Sequence, residues 1–245
     1  MKRPSEAAQE PVFVIVEVGD AKTRYHVHRS LLVEHSGYFK KALNGPWKEA
    51  QDGVVILEDV ECSTCEGKTF RSMHHSTNEA IVSIFVDWVY SQRLPKNDAA
   101  WCDEADEDIG KSQLARTKAL VFGDRMLSPV FHKTVRDSLV EHIIEWAVYY
   151  RAVIYAFLNL PKDHAILDLF VEVHCREFQD SLDTVGNGEL ELRASLPHDF
   201  LMRVIVRYSQ IAKSVLPEGE LKPCDYHGHA DEEEKKQCQA EVDKD

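Results

Sequence analysis

Strand-like patterning is confined to the first 57 residues of this 245-residue chain, and the remainder reads as helix or loop. Val12-Phe13-Val14-Ile15-Val16-Glu17-Val18 is rich in β-branched residues and closes on the turn formers Gly19-Asp20. Arg24 to His28 alternates and can pair back as a hairpin partner, and Gly53-Val54-Val55-Ile56-Leu57 is a further strand. A few early strands followed by a run of helices is the pattern of an α+β fold, with a small sheet flanked by helices.

The period changes at Arg29. Leu31, Leu32 and His35 predict one short helix, and Tyr38, Phe39, Ala42 and Leu43 a second, stopped at Asn44-Gly45-Pro46. After Leu57 comes a stretch of about twenty residues with no element of its own, long enough to mark an insertion or a site. Ser76-Thr77-Asn78-Glu79 has the spacing of a capping box. The helix expected behind it carries Ile81, Ile84, Phe85, Trp88 and Val89 on one stripe.

Between Asn97 and Ile109 lie six acids and no base, which reads as a solvated acidic insertion. Helices are predicted over about 112–126 and 129–146. The second has Ser128 as its cap, Pro129 at its first position, and Phe131, Val135, Leu139 and Ile143 on one face. Three more follow over 147–158, 164–178 and 196–214, with a turn at Val185-Gly186-Asn187-Gly188. The expected organisation is a flexible lead at 1–11, a domain over 12–146, an all-helical extension over 147–214 and an acidic tail over 215–245.

Charge narrows the function classes. Lys and Arg number 29 against 42 Asp and Glu, a formal charge of −13, which disfavours a nucleic-acid partner because phosphate contacts need clustered cations. The basic start Met1-Lys2-Arg3 has no apolar run behind it, so no signal peptide is expected, and no apolar stretch is long enough to span a membrane. Six cysteines in such a chain are expected as reduced thiols, which fits an intracellular protein of the cytoplasm or nucleus. No nucleophile elbow, zinc-protease helix or phosphate-binding glycine loop is present, and Gly186-Asn187-Gly188 is an incomplete dinucleotide fingerprint, so no enzyme is expected.

Two Cys/His groups bear on metal. Cys224, His227, His229 and Cys238 could converge as a tetrahedral set of the kind zinc favours, a structural ion with no open position; the other reading is an acidic tail in which they do nothing. Cys62 and Cys65 with His74 and His75 form a poorer set, since adjacent histidines on extended backbone point apart. No other cofactor is expected.

From Tyr25-His26-Val27-His28-Arg29-Ser30-Leu31-Leu32 through His35-Ser36-Gly37-Tyr38-Phe39-Lys40-Lys41-Ala42-Leu43, and again at Asp87-Trp88-Val89-Tyr90-Ser91-Gln92-Arg93-Leu94, the sequence resembles a BTB/POZ domain. The likeness covers about residues 12–95 and continues more weakly to 146. It is closest to the fungal group, in which such a domain is followed by helices. The resemblance implies a non-enzymatic protein–protein interaction module that forms oligomers and, in many members, bridges a cullin scaffold to substrates for ubiquitin transfer. In cullin-binding members a hydrophobic–x–Glu motif follows the helix matched here by Tyr38–Leu43, and Trp47-Lys48-Glu49 falls at that place. Tyr38, Trp47, Lys48 and Glu49 are therefore the candidate partner-binding residues. The alternative is that Trp47 folds back over the core edge and Glu49 is merely solvated.

The lead before Val12 is too short and apolar-poor for the elements that swap between subunits in the zinc-finger branch, which argues against a swapped dimer and leaves other oligomers open. With no kelch, MATH or zinc-finger module recognised, substrate choice would fall to the C-terminal helices or to a partner. The alternative function is an oligomerising or transcription-associated scaffold without cullin contact.

Overall fold

The computed structural model describes residues 6, 9, 12–19, 21–57, 68–102, 108–212 and 232–242. Strand β1 (Phe13–Val18) lies at the centre of a three-stranded mixed sheet. It pairs antiparallel with β2 (Thr23–His28), Val14 opposite Val27 and Glu17 opposite Arg24, and parallel with β3 (Val54–Leu57), Val16 beside Val55. The two-residue alternation buries Val14, Val16, Val18, Val27, Val55 and Leu57 on one face. On the other face Glu17 accepts a 2.9 Å hydrogen bond from Arg24 Nε, so its buried carboxylate is paired.

Between β2 and β3 run α1 (Arg29–His35), α2 (Gly37–Asn44) and α3 (Lys48–Asp52). Leu31, Leu32, Phe39 and Leu43 supply their buried side. Ser36 joins the first two. Its hydroxyl accepts from Phe39 N at 3.2 Å, capping α2, and donates to Met126 O at 2.6 Å, tying that cap to a turn 90 residues away.

Helix α4 spans Lys68–Ser91. It begins well before the expected capping box, so Ser76-Thr77-Asn78-Glu79 sits within the helix and does not start it; the preceding 58–67 lie outside the described residues. The predicted stripe is its core face, with Ile81, Ile84, Phe85, Trp88 and Val89 all buried. Phe85 stands at the centre of an aromatic cluster, stacked 6.4 Å from Phe39 and edge-on to Phe122 at 5.4 Å and Phe131 at 5.1 Å.

The segment expected as a solvated insertion differs. Asp98–Cys102 forms helix α5, whose Trp101 is 1% exposed, and Asp108 caps the next helix by accepting from Lys111 N at 2.9 Å. Acid count alone misreads it, because one aromatic turns inward and one acid serves as an N-cap; residues 103–107 lie outside the described residues.

Helix α6 (Ile109–Arg125) is buried from Ser112 to Gly123 and packs on α7 (Pro129–Trp146), whose Phe131, Val135, Leu139 and Ile143 are fully buried. Ser128 holds the cap position of α7, but its side chain makes no capping bond, contrary to expectation; Pro129, which has no N–H to satisfy, starts the helix. Next come α8 (Tyr150–Asn159), α9 (Ala165–Glu177), the single turn α10 (Glu189–Leu192) and α11 (His198–Ala212). Residues 1–205 form one compact unit and 206–245 a second, the latter holding the polar helix α12 (Glu232–Val242). No helix among the described residues is long and apolar enough to cross a membrane.

Candidate partner-binding site

The expected contact residues sit where α2 hands over to α3. The hand-over is held at its start. Arg29 Nη2 donates to Leu43 O at 3.1 Å and to Asn44 Oδ1 at 2.6 Å, covering carbonyl oxygen that the end of a helix leaves unpartnered. It is held at its end by Gly53, whose left-handed φ of 66° lets its N–H reach Glu49 O at 3.0 Å. Pro46 fixes the chain between, and Trp47 occupies the N-cap position of α3 in extended conformation.

Held this way, the Trp47 side chain is not part of the core; it is 59% exposed. Its indole lies against Gly45, where an added Cβ would fall on Cδ1 and Nε1 of the ring. Gly45 has φ −90°, which any residue adopts, so space and not backbone freedom is what glycine provides here. Lys48 is exposed, 3.9 Å from Asp52, and Glu49 is half-buried in the first turn of α3. Tyr38 is half-buried, its ring edge-on to Phe39 at 5.4 Å. Its hydroxyl is held above the ordinary tyrosine range by burial and then by the negative charge of Glu49, which puts the two groups within electrostatic reach. The structure thus brings Tyr38, Trp47, Lys48 and Glu49 into one neighbourhood. The arrangement offers a large apolar ring with one N–H donor beside both signs of charge.

An open groove of about 630 Å³ runs along the α1–α2 corner, lined by Arg29, Val33, Glu34, Lys40, Leu127 and Pro129. A second, of about 570 Å³, lies between α4 and the segment after it, lined by Ile84, Asp87, Tyr90, Arg93, Leu94 and Trp101 among others.

Cys224, His227 and His229 lie outside the described residues, and Cys238 falls on α12 with its side chain undescribed. Cys62 and Cys65 are likewise outside, while His74 and His75 lie on α4. Among the described residues no three His, Cys, Asp or Glu side chains gather where they could hold a metal.

One polar centre was not foreseen. Arg116 on the buried α6 donates to Asp98 Oδ1 at 2.9 Å and lies over the Trp101 ring at 4.7 Å, while His142 Nε2 stands 3.2 Å from the same carboxylate oxygen. Burial pushes the Asp98 carboxyl up, but hydrogen bonds from Ser112 and Arg116, with the charges of Arg116 and His142, outweigh it and leave the group below its ordinary range. Burial lowers His142 to about 4, helped by the Arg116 charge and opposed by Asp98. Gln113 completes the knot, donating to Ala147 O at 2.9 Å and accepting from Tyr149 N at 2.9 Å. The centre joins α5, α6 and α7 and reads as structural, with Trp101 Nε1 and His142 Nε2 buried without a hydrogen-bond partner. Its signal in the sequence was Trp101, an aromatic with no role in a solvated linker.

No curated protein matches the chain. The family model of the BTB/POZ domain matches residues 6–100, which hold the whole sheet, α1 to α4 and the start of α5. A three-stranded mixed sheet with helices around it, followed among the described residues by helices, is the architecture of a BTB fold with a helical C-terminal part. Residues 6–100 carry a BTB/POZ domain, a protein–protein interaction module.

Proposed function

We propose that this protein is a non-enzymatic intracellular adaptor that docks a cullin scaffold through the Trp47-Lys48-Glu49 turn and leaves substrate choice to its C-terminal helices or to a partner. The observation that carries this reading is the presentation of Trp47, an aromatic 59% exposed on a turn anchored at both ends. A large side chain held out from a rigid element loses little entropy on binding and tends to be the residue on which affinity depends. The test is titration with a cullin N-terminal domain, read by calorimetry. Micromolar or tighter binding by the intact chain, weakened about thirtyfold or more by Trp47→Ala with unchanged melting temperature, supports the adaptor. Absence of binding refutes it.

The alternative, an oligomerising or transcription-associated scaffold without cullin contact, is favoured by a different surface. Val12, Phe13 and Ile56 are each about half exposed, Phe13 and Ile56 on the sheet face turned away from the core. Light scattering of the intact chain and of Ile56→Lys tests that reading: a dimer that becomes monomeric on substitution supports it.

A further inference from the structure

Helix α9 is started by an uncommon kind of cap. His164 holds its N-cap position, and the imidazole Nδ1 accepts from Ile166 N at 3.2 Å. Caps are usually Ser, Thr, Asp or Asn, whose oxygen accepts at any ordinary pH. Ser36 on α2 and Asp108 on α6 are of that kind. An imidazole accepts only while it is neutral, so this bond requires a lone pair on Nδ1 and the ring proton on Nε2. The main chain completes the turn, His164 N donating to Pro161 O and Leu167 N to His164 O, both at 2.9 Å. Behind the cap, Ile166, Leu167 and Phe170 are buried where α9 packs on α7 and α8.

His164 also meets a second imidazole. His132, in the first turn of α7, lies edge-on to it with ring centroids 6.2 Å apart, and both residues are half-buried. Two helix N-termini thus bring two histidines together, and the positive end of each helix dipole disfavours a proton there. Burial is the largest influence on each ring and sets both below the ordinary histidine range. Arg136 on α7 adds to that effect, while Asp124 at the end of α6 and Asp163 beside the cap oppose it. Arg203 of α11 is already engaged, with Lys162 O at 2.7 Å and Asp168 at 2.9 Å.

We infer that His164 and His132 form an acid-sensitive latch, in which neutral His164 caps α9 against α7 and protonation releases the first turn of α9 while the sheet stays folded. A proton on Nδ1 turns the acceptor into a donor facing the Ile166 N–H. It also sets a charge at the positive end of the helix and against His132. An opened turn returns His164 to water, where it takes up the proton more readily than in the closed turn. The closed latch is therefore favoured above about pH 6.5 and weakens as pH falls below it. The latch governs the apolar side of α9 and does not depend on what docks at Trp47.

The experiment follows the intact, isotope-labelled chain by NMR from about pH 7.5 to about pH 5, an interval that spans the ordinary histidine range. At the upper end the His164 ring should carry its proton on Nε2; a proton on Nδ1 overturns the latch. Hydrogen-exchange protection of the Ile166, Leu167 and Phe170 amides, corrected for the intrinsic effect of pH on exchange, should fall about tenfold at the lower end, the size expected for losing one cap. The β1 resonances should stay in place. His164→Asn, whose side chain caps without titrating, should hold protection of those amides within about threefold across the range, and His164→Ala should show the low value throughout. His132→Gln should raise the pH at which protection falls; an unmoved midpoint removes His132 from the latch. An equal fall in the parent and in His164→Asn overturns the inference. So does a fall that disappears in His142→Gln, which would assign it to the buried centre around Asp98 and Arg116.

Discussion

Trp47 and Trp101 both sit beside charged residues in short connecting segments, yet one is 59% exposed and the other 1%. The difference lies in what each ring finds beneath it. Trp47 follows a Gly-Pro turn, and its indole lies against Gly45 with more than half of the residue still open to solvent. Trp101 meets the guanidinium of Arg116, which Asp98 holds in place, so its ring is covered by a cation already neutralised. A tryptophan near charges is thus neither a surface nor a core residue by composition; the partner at van der Waals distance decides.

The most severe way to break the comparison is to remove the buried ring. Trp101→Ala should cost about 3–5 kcal/mol in urea unfolding, through the cavity it leaves and the loss of the surface over Arg116. If it costs no more than Trp47→Ala, the two segments are equivalent and the buried assignment fails. Next is the pair itself. Arg116→Met strands Asp98 without its cation and should cost about 3 kcal/mol, whereas Arg116→Met combined with Asp98→Leu should recover most of that loss. Equal losses for the single and double variants would mean that packing and not pairing sets the cost.

Acid offers a gentler probe. His142 titrates at about 4 in the folded chain, below its ordinary value near 6.5, so the unfolded chain takes up the proton first and stability falls as pH drops through that interval. Asp98, held below its ordinary range, loses its contribution at still lower pH. Between pH 7 and pH 5 the His142 effect amounts to about 2 kcal/mol, and His142→Gln should flatten that slope. An unchanged slope would place the acid sensitivity elsewhere. The smallest expected effect is Trp47→Ala, within about 0.5 kcal/mol of the parent in thermal unfolding, as for surface positions generally.

The same contrast explains what could be read from the residues. Strands β1 to β3, the stripe Ile81 to Val89 and the face Phe131 to Ile143 were legible because each buries one side in a fixed period. Helix α6 was harder, since its buried span includes Ser112, Gln113, Arg116, Thr117 and Lys118, whose burial depends on partners far along the chain. On α11 the apolar residues Phe200, Leu201, Val204 and Ile205 recur at helical spacing, yet Phe200 and Val204 are buried while Leu201 and Ile205 are exposed. Periodicity identifies sides of a helix; it does not say which side has a neighbour. At the candidate site the tripeptide Trp47-Lys48-Glu49 was visible, while the contact of Gly45 with the ring is a matter of atomic distance that no spacing encodes.

The central position of β1 has a consequence for synthesis. Its antiparallel edge can be satisfied as soon as β2 leaves the ribosome, but its parallel edge must wait for β3, after α1, α2 and α3 have been made. During that interval Ile15, Val16, Glu17 and Val18 present unpaired main-chain groups on a strongly β-forming strand. Nascent chains stalled before Val54 should therefore be the species that chaperones retain, and lengthening the stall should raise aggregation of this protein more than the same pause placed after Leu57.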